Sequence, residues 1–153
     1  MSHNSKEELV YRTCVLLVQH FRNLLEARVG GFNCGFNSRI FQHMLHWEFD
    51  FVGIGQSAEV TNESGFHPEH IVPCAVLISE TCRLIEGKVL NDTEIAKLLQ
   101  KHWKIARITK EQARKIDFGL GYKSTMPLGW CFESGETFAR LHEAKITLVP
   151  ISK

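Results

Sequence analysis

The segment "EHIVPCAVLISETCRLIEG", Glu69 to Gly87, gives the clearest structural signal in the chain. After Pro73, a residue that suits the first turn of a helix, inward-facing positions recur with the 3.6-residue helical period. Gly87 closes the pattern, as glycine commonly does at a helix end. The segment predicts a buried helix whose inner face is formed by Cys74, Leu77, Ile78, Thr81, Leu84 and Ile85.

Five more helices and a few short strands are predicted around this one. A long N-terminal helix starts at a capping box of Ser5 and Glu8 and ends at Gly30-Gly31. Alternating or apolar runs predict short strands in "FDFVGIG", "KIARIT" and the C-terminal segment. We expect an α+β fold, predominantly helical, with two or three short strands in a single compact domain over residues 1–153. The other helices are predicted after Ser38, after Asn91 or Asp92, after Thr109, and within 135–150.

Composition is that of an ordinary globular protein, with 44% hydrophobic and 23% charged residues in 153. The longest apolar patch of the first helix, "CVLLV", is far shorter than a bilayer requires, and the N-terminus lacks the layout of a secretory signal. Five cysteines without paired spacing do not form a disulfide pattern. We therefore expect no membrane partner and a reducing, cytoplasmic location.

Charge is distributed unevenly along the chain. Residues 1–87 carry six Lys/Arg against ten Asp/Glu, whereas residues 88–123 carry nine against four. The basic middle segment could face an anionic partner such as nucleic acid, or it could simply be a solvated helix surface. Under the first alternative the phosphate-contacting residues are Lys97, Lys101, Lys104, Arg107, Lys110 and Arg114.

The chemistry-bearing residues concentrate in "HPEHIVPC", where two histidines, a glutamate and a cysteine lie within eight residues. Neutral imidazole can take a proton from water at physiological pH, so His70 is a candidate general base. The adjacent carboxylate of Glu69 could orient the ring or bind a divalent ion. From sequence, this segment is expected to be a polar loop that leads into the buried helix.

"EHIVP" resembles the opening of the HNH, or ββα-metal, nuclease motif, in which an acid-histidine pair, an apolar residue and a proline end the first strand. The resemblance covers about five residues. It implies a metal-dependent hydrolase acting on phosphodiester bonds, with His70 as general base, Glu69 as catalytic residue and metal ligand, and His67 as a further ligand. The implied cofactor is a divalent ion: Mg, Mn or Zn. Asn91 and His102 follow in the family's order, but on helices and at longer spacing.

Four other interpretations remain open from the sequence. His67, His70 and Cys74 are of the residue types that bind zinc, with a fourth ligand from Cys34, His43, Cys82 or Cys131. His43 and His46, near Glu48 and Asp50, offer a second possible ligand group. A cysteine nucleophile would require a histidine near Cys14, Cys34 or Cys131, of which Cys34 is expected to be the most exposed. In the non-catalytic alternative, the chain is an inhibitor or regulatory protein that binds a protein partner.

Overall fold

A four-stranded sheet lies at the centre of the α+β fold. The computed structural model describes residues 3–151, in which the strands are β1 (Gly53–Ser57), β2 (His67–His70), β3 (Ile105–Ile108) and β4 (Leu148–Val149). Their order is β2-β3-β1-β4, with β3 parallel to β1 and antiparallel to β2, and β4 antiparallel to β1. The predicted fold class is confirmed. The prediction of a loop at 67–70 was wrong, because these residues pair with β3 along its whole length.

Seven α-helices surround the sheet within residues 3–151. They are α1 (His3–Val29), α2 (Ile40–Met44), α3 (Glu48–Val52), α4 (Cys74–Gly87), α5 (Asp92–His102), α6 (Lys110–Arg114) and α7 (Ala139–Glu143). A π-helical turn, Lys115–Gly119, continues α6. No helix in the described part of the chain is long and apolar enough to cross a membrane.

Several predicted helix ends are confirmed by their capping bonds. The Asn91 side chain accepts a hydrogen bond from the Glu94 amide at the start of α5. Thr109 and Gln112 form a reciprocal capping box at the start of α6. Gly31 has a φ of 87° at the end of α1, in the left-handed region that favours glycine. Local sequence signals therefore located these ends correctly.

Two other helix predictions were wrong. Helix α1 already includes His3, so Ser5 lies inside its first turn and is not the N-cap. The helix predicted from Ser38 is two short helices, separated by extended backbone at Leu45 and Trp47. Their buried residues, Phe41, Glu48 and Val52, keep the spacing of one continuous helix, so periodicity alone could not reveal the break.

The sheet separates two hydrophobic cores. The larger core packs α1, α4 and α5 against Val72, Trp103 and Ile105. The smaller one joins Ile71, Ala106 and other buried residues to α6 and α7. Successive residues of a strand point to opposite faces, and the chain follows this alternation at 69–72 and 105–108. Consequently, neighbouring residues of β2 belong to different environments.

Arg140 is the most heavily hydrogen-bonded buried side chain on the smaller-core side. It is 1% exposed and forms an ion pair with Glu69, 3.1 Å from Nη2 to Oε1. Its guanidinium also donates to the carbonyl oxygens of His70, Ile71 and Tyr122. Burial raises the pKa of Glu69, although the charges of Arg140 and His67 act in the opposite direction. Arg140 therefore fixes the backbone at the end of β2 from the smaller-core side of the sheet.

We expect Arg140→Leu to lower the free energy of unfolding by about 3–5 kcal/mol, since it leaves a buried carboxylate without its partner. Urea denaturation would measure the loss. Arg114→Leu is the matched control, because Arg114 is exposed on α6 and surface substitutions usually change stability by less than about 0.5 kcal/mol. Equal losses in the two variants would contradict this role for Arg140.

Candidate active site

The site is built around the buried carboxylate of Glu48, which is 8% exposed. Its Oε1 accepts a hydrogen bond from the indole Nε1 of Trp103 at 2.7 Å and lies 2.7 Å from Nε2 of His70. Trp103 is fully buried and packs edge-on against Phe41 at 5.2 Å between ring centroids. The indole therefore anchors the carboxylate, and the carboxylate orients the imidazole.

Cys74 completes the group on the other side of His70. His70 is the last residue of β2 and Cys74 is the first residue of α4, so only three residues separate them. The Cys74 side chain lies close enough to the imidazole to raise its pKa. Both residues are partly exposed.

Electrostatics favour the charged form of His70. Burial by itself lowers the pKa of the imidazole, because it penalises the positive ring. Hydrogen bonds with Cys74 and Glu48, and attraction to their negative forms, outweigh burial and raise the pKa to about 10. Cys74 sits at the positive end of the dipole of α4, where a negative charge is favoured. The arrangement thus favours the imidazolium form of His70.

A cleft of about 580 Å³ opens beside Glu48. Its walls come from α2, α3 and the sheet, and they are largely apolar and aromatic. Trp47 is 69% exposed at this cleft, and its ring centroid lies 4.0 Å from that of His46, with the two planes tilted by 35°. The cleft is lined by Gln42, His43, His46, Trp47, Glu48, Phe49, Pro68 and Ile105.

The predicted site residues His67, Glu69 and His70 are divided between the two faces of β2. His67 and Glu69 form an ion pair, 3.1 Å from Nε2 to Oε2, and Glu69 is also held by Arg140. His70 points to the opposite face, toward Glu48 and Cys74. Within the residues described, no group of three or more His, Cys, Asp or Glu side chains is arranged to hold a metal ion. The structure therefore brings His67 and Glu69 together and places His70 on the other face of the strand.

The predicted phosphate-contacting residues lie on three separate elements. Lys97 and Lys101 are exposed on α5, where Lys101 donates to the Gly135 carbonyl. Lys104 is partly buried and donates to the Gln100 carbonyl. Lys110 and Arg114 are exposed on α6, which packs against the other face of the sheet. Arg107 alone among the six contacts a residue of the cleft wall, Phe49.

The cysteines considered as nucleophiles from the sequence occupy other places. Cys14 is fully buried, and burial raises the pKa of its thiol to about 12. The expectation that Cys34 is the most exposed was wrong, because Cys131 is exposed whereas Cys34 is half-buried and donates to the Leu24 carbonyl. Sequence reasoning treated Cys74 as a helix-face or zinc residue. Its position in the sequence, four residues after His70 and directly after Pro73, places it at the first position of α4.

His102, which follows the order of the HNH motif, is a structural residue of the core. Its Nε2 lies 2.8 Å from the Phe132 carbonyl and its Nδ1 lies 2.9 Å from Oγ1 of Thr137. Burial lowers the pKa of this imidazole to about 4, so the ring is neutral. The two hydrogen bonds of His102 attach the 130–137 segment to α5.

Thiol, imidazole and carboxylate in this order form the arrangement by which proteins activate a nucleophile: the base contacts the nucleophile, and a third group orients the base. Comparisons with protein families, with curated proteins and with solved structures found no match. The function is therefore inferred from the chemistry of the site.

We expect the imidazole of His70 to titrate well above the usual value near 6.5. Removing either negative partner favours the neutral ring, so Glu48→Gln and Cys74→Ala should each lower its pKa. NMR titration of the histidine ring signals, assigned with His70→Gln, measures the midpoint. Glu59→Gln removes an exposed carboxylate and should leave it unchanged. A wild-type midpoint at or below 6.5 would contradict the assignment.

Proposed function

We propose that the protein is a cysteine-dependent acyl-transfer enzyme that cleaves an ester, thioester or amide. Cys74 is the nucleophile, His70 is the general base and acid, and Glu48 orients the imidazole. The observation that carries this proposal is the hydrogen-bonded series from Trp103 through Glu48 to His70, with Cys74 beside the imidazole at the start of α4. The aromatic cleft, which shares Glu48 with this series, is the proposed binding space for the substrate.

In the first step, the Cys74 sulfur attacks the carbonyl carbon of the substrate and a carbon–sulfur bond forms. The bond to the leaving oxygen, nitrogen or sulfur breaks, and the leaving group takes the proton from the His70 imidazolium. The product is a thioester on Cys74. In the second step, neutral His70 removes a proton from water or another acceptor as its oxygen or other nucleophilic atom attacks the thioester carbon. The carbon–sulfur bond then breaks, the acid or acylated acceptor leaves, and the Cys74 sulfur is released as a thiolate beside the His70 imidazolium.

The start of α4 also provides donors for the negative oxygen that develops on the substrate. The first amides of a helix lack intrahelical acceptors. Val76 and Leu77 donate to the Pro73 carbonyl, whereas the amides of Cys74 and Ala75 come earlier in the same turn. Backbone donors aimed at a developing oxyanion are a large source of rate enhancement.

The HNH-like nuclease, with its divalent ion and nucleic-acid partner, stays a prediction, as do the zinc module and the protein-binding regulator. The same variants separate them. A metal-dependent nuclease would lose activity with a chelator and in His70→Ala, and would retain it in Cys74→Ala. A zinc module would contain stoichiometric zinc and unfold with a chelator.

A thioester on Cys74 is the expected product when the protein is treated with p-nitrophenyl acetate. Mass spectrometry of the Cys74 peptide would detect the acetyl group, and nitrophenolate release would report turnover. We expect His70→Ala to slow acetylation by about 100-fold or more, because the imidazole holds the proton of the Cys74 thiol and acid–base assistance contributes at least this factor. Cys74→Ala should abolish it.

Cys131→Ala is the matched control, since Cys131 is exposed and lies outside the site. This variant should keep the wild-type turnover. Acetylation confined to Cys131, or a Cys74 rate that is independent of His70, would contradict the proposed function.

A further inference from the structure

Arg107 lies at the edge of the candidate site, with its guanidinium against two aromatic rings. Its guanidinium carbon lies 4.4 Å from the centroid of the Phe49 ring and 4.6 Å from that of Phe66. Guanidinium groups stack on aromatic rings and present their N–H donors in the plane of the group. No ion pair within the described residues involves Arg107, so its donors face no carboxylate of this part of the chain.

The strand register places Arg107 on the same face as His70. Pro68 pairs with Arg107 and His70 pairs with Ile105 across the antiparallel strands β2 and β3. Pro68 and Ile105 both line the cleft. Diagonal neighbours on one face of such a pair have Cα atoms about 7–8 Å apart, so Arg107 and His70 occupy neighbouring positions on this face of the sheet. Phe49, which supports the guanidinium, directly follows Glu48 in the sequence.

The surrounding charges indicate the kind of group that Arg107 would bind. The cleft lining contains one carboxylate, Glu48, and no lysine or arginine. Lys101 and Lys104 are bonded elsewhere, and Lys110 and Arg114 lie on α6. A polyanion would need several cations along its path, whereas a single planar guanidinium matches a single carboxylate through two parallel hydrogen bonds.

We propose that Arg107 is a subsite for a carboxylate of the substrate, which it holds a few bonds away from the carbonyl group attacked by Cys74. The substrate class is therefore an acyl compound with one free carboxylate, such as a half-ester of a dicarboxylic acid or a peptide ending near the scissile bond. This inference rests on the proposed function. Beyond that function, it names the substrate class and adds Arg107 as a residue that recognises the substrate.

Two thiol reagents that differ mainly in charge test the subsite. N-ethylmaleimide is neutral, and 3-maleimidopropionate carries a carboxylate on a chain of similar length. The measurement is the ratio of their rates of addition to Cys74, obtained by peptide mass spectrometry at low salt. We expect the carboxylate reagent to be favoured about threefold to fivefold in wild type relative to Arg107→Gln, as for a partly exposed ion pair. Arg107→Lys should retain part of this preference.

Two internal controls accompany the measurement. Arg114→Gln removes a guanidinium on α6 and should leave the ratio unchanged. Cys131, in the same sample, should show no preference that depends on Arg107. An equal ratio in wild type and Arg107→Gln would overturn the subsite. Faster, Arg107-dependent addition of a phosphonate analogue would overturn its assignment to a carboxylate.

Failure of the subsite is distinguishable from failure of the proposed function. The rate with N-ethylmaleimide at Cys74 depends on His70 if the thiol is activated as proposed, whatever Arg107 does. The ratio between the two reagents depends on Arg107, whatever the absolute rate is. A His70-dependent rate with an Arg107-independent ratio would therefore leave the enzyme proposal standing and remove the subsite.

Discussion

A buried carboxylate has to be compensated by donors, and the position of Glu48 imposes this requirement on three parts of the chain. Trp103 comes from the end of α5, His70 from the end of β2, and Glu48 itself from the start of α3. The indole contributes one hydrogen bond and the imidazole contributes the other. An unpaired charge at this depth would cost several kcal/mol, so the three elements must meet in register. The larger core packs around the contact between Glu48, Trp103 and His70.

The sheet supports the site from its opposite face. On one side of β2, His70 faces Glu48; on the other, Glu69 faces Arg140. Arg140 also holds the carbonyls of His70 and Ile71, which are the last backbone groups before the turn into α4. The guanidinium thus holds the backbone of His70, whose side chain faces Glu48 on the other side of the sheet.

Local signals accounted for much of the fold and for little of the site. The period of α4, the cap at Asn91 and the helix start at Thr109 are all encoded within a few residues, and the structure confirms them. Glu48 lies 22 residues from His70 and 55 from Trp103, and its sequence context indicates only a helix face or a ligand group with His43 and His46. The alternation of β2 also remained hidden, because four polar or proline residues, "HPEH", have no apolar pattern that would indicate a strand. Once the strand is recognised, Glu69 and His70 necessarily point apart.

The number of residues between His70 and Cys74 is constrained, because it sets the position of the thiol relative to the imidazole. Each residue added to or removed from the start of α4 would turn the helix by about 100° and shift it by about 1.5 Å. One inserted residue between Ile71 and Pro73 would therefore carry the thiol away from the imidazole while leaving every side chain of the site intact. The exposed residues 61–64, which precede β2, carry no such restriction. Insertions and deletions should therefore be excluded from 70–74 and accepted in the loop that leads to it.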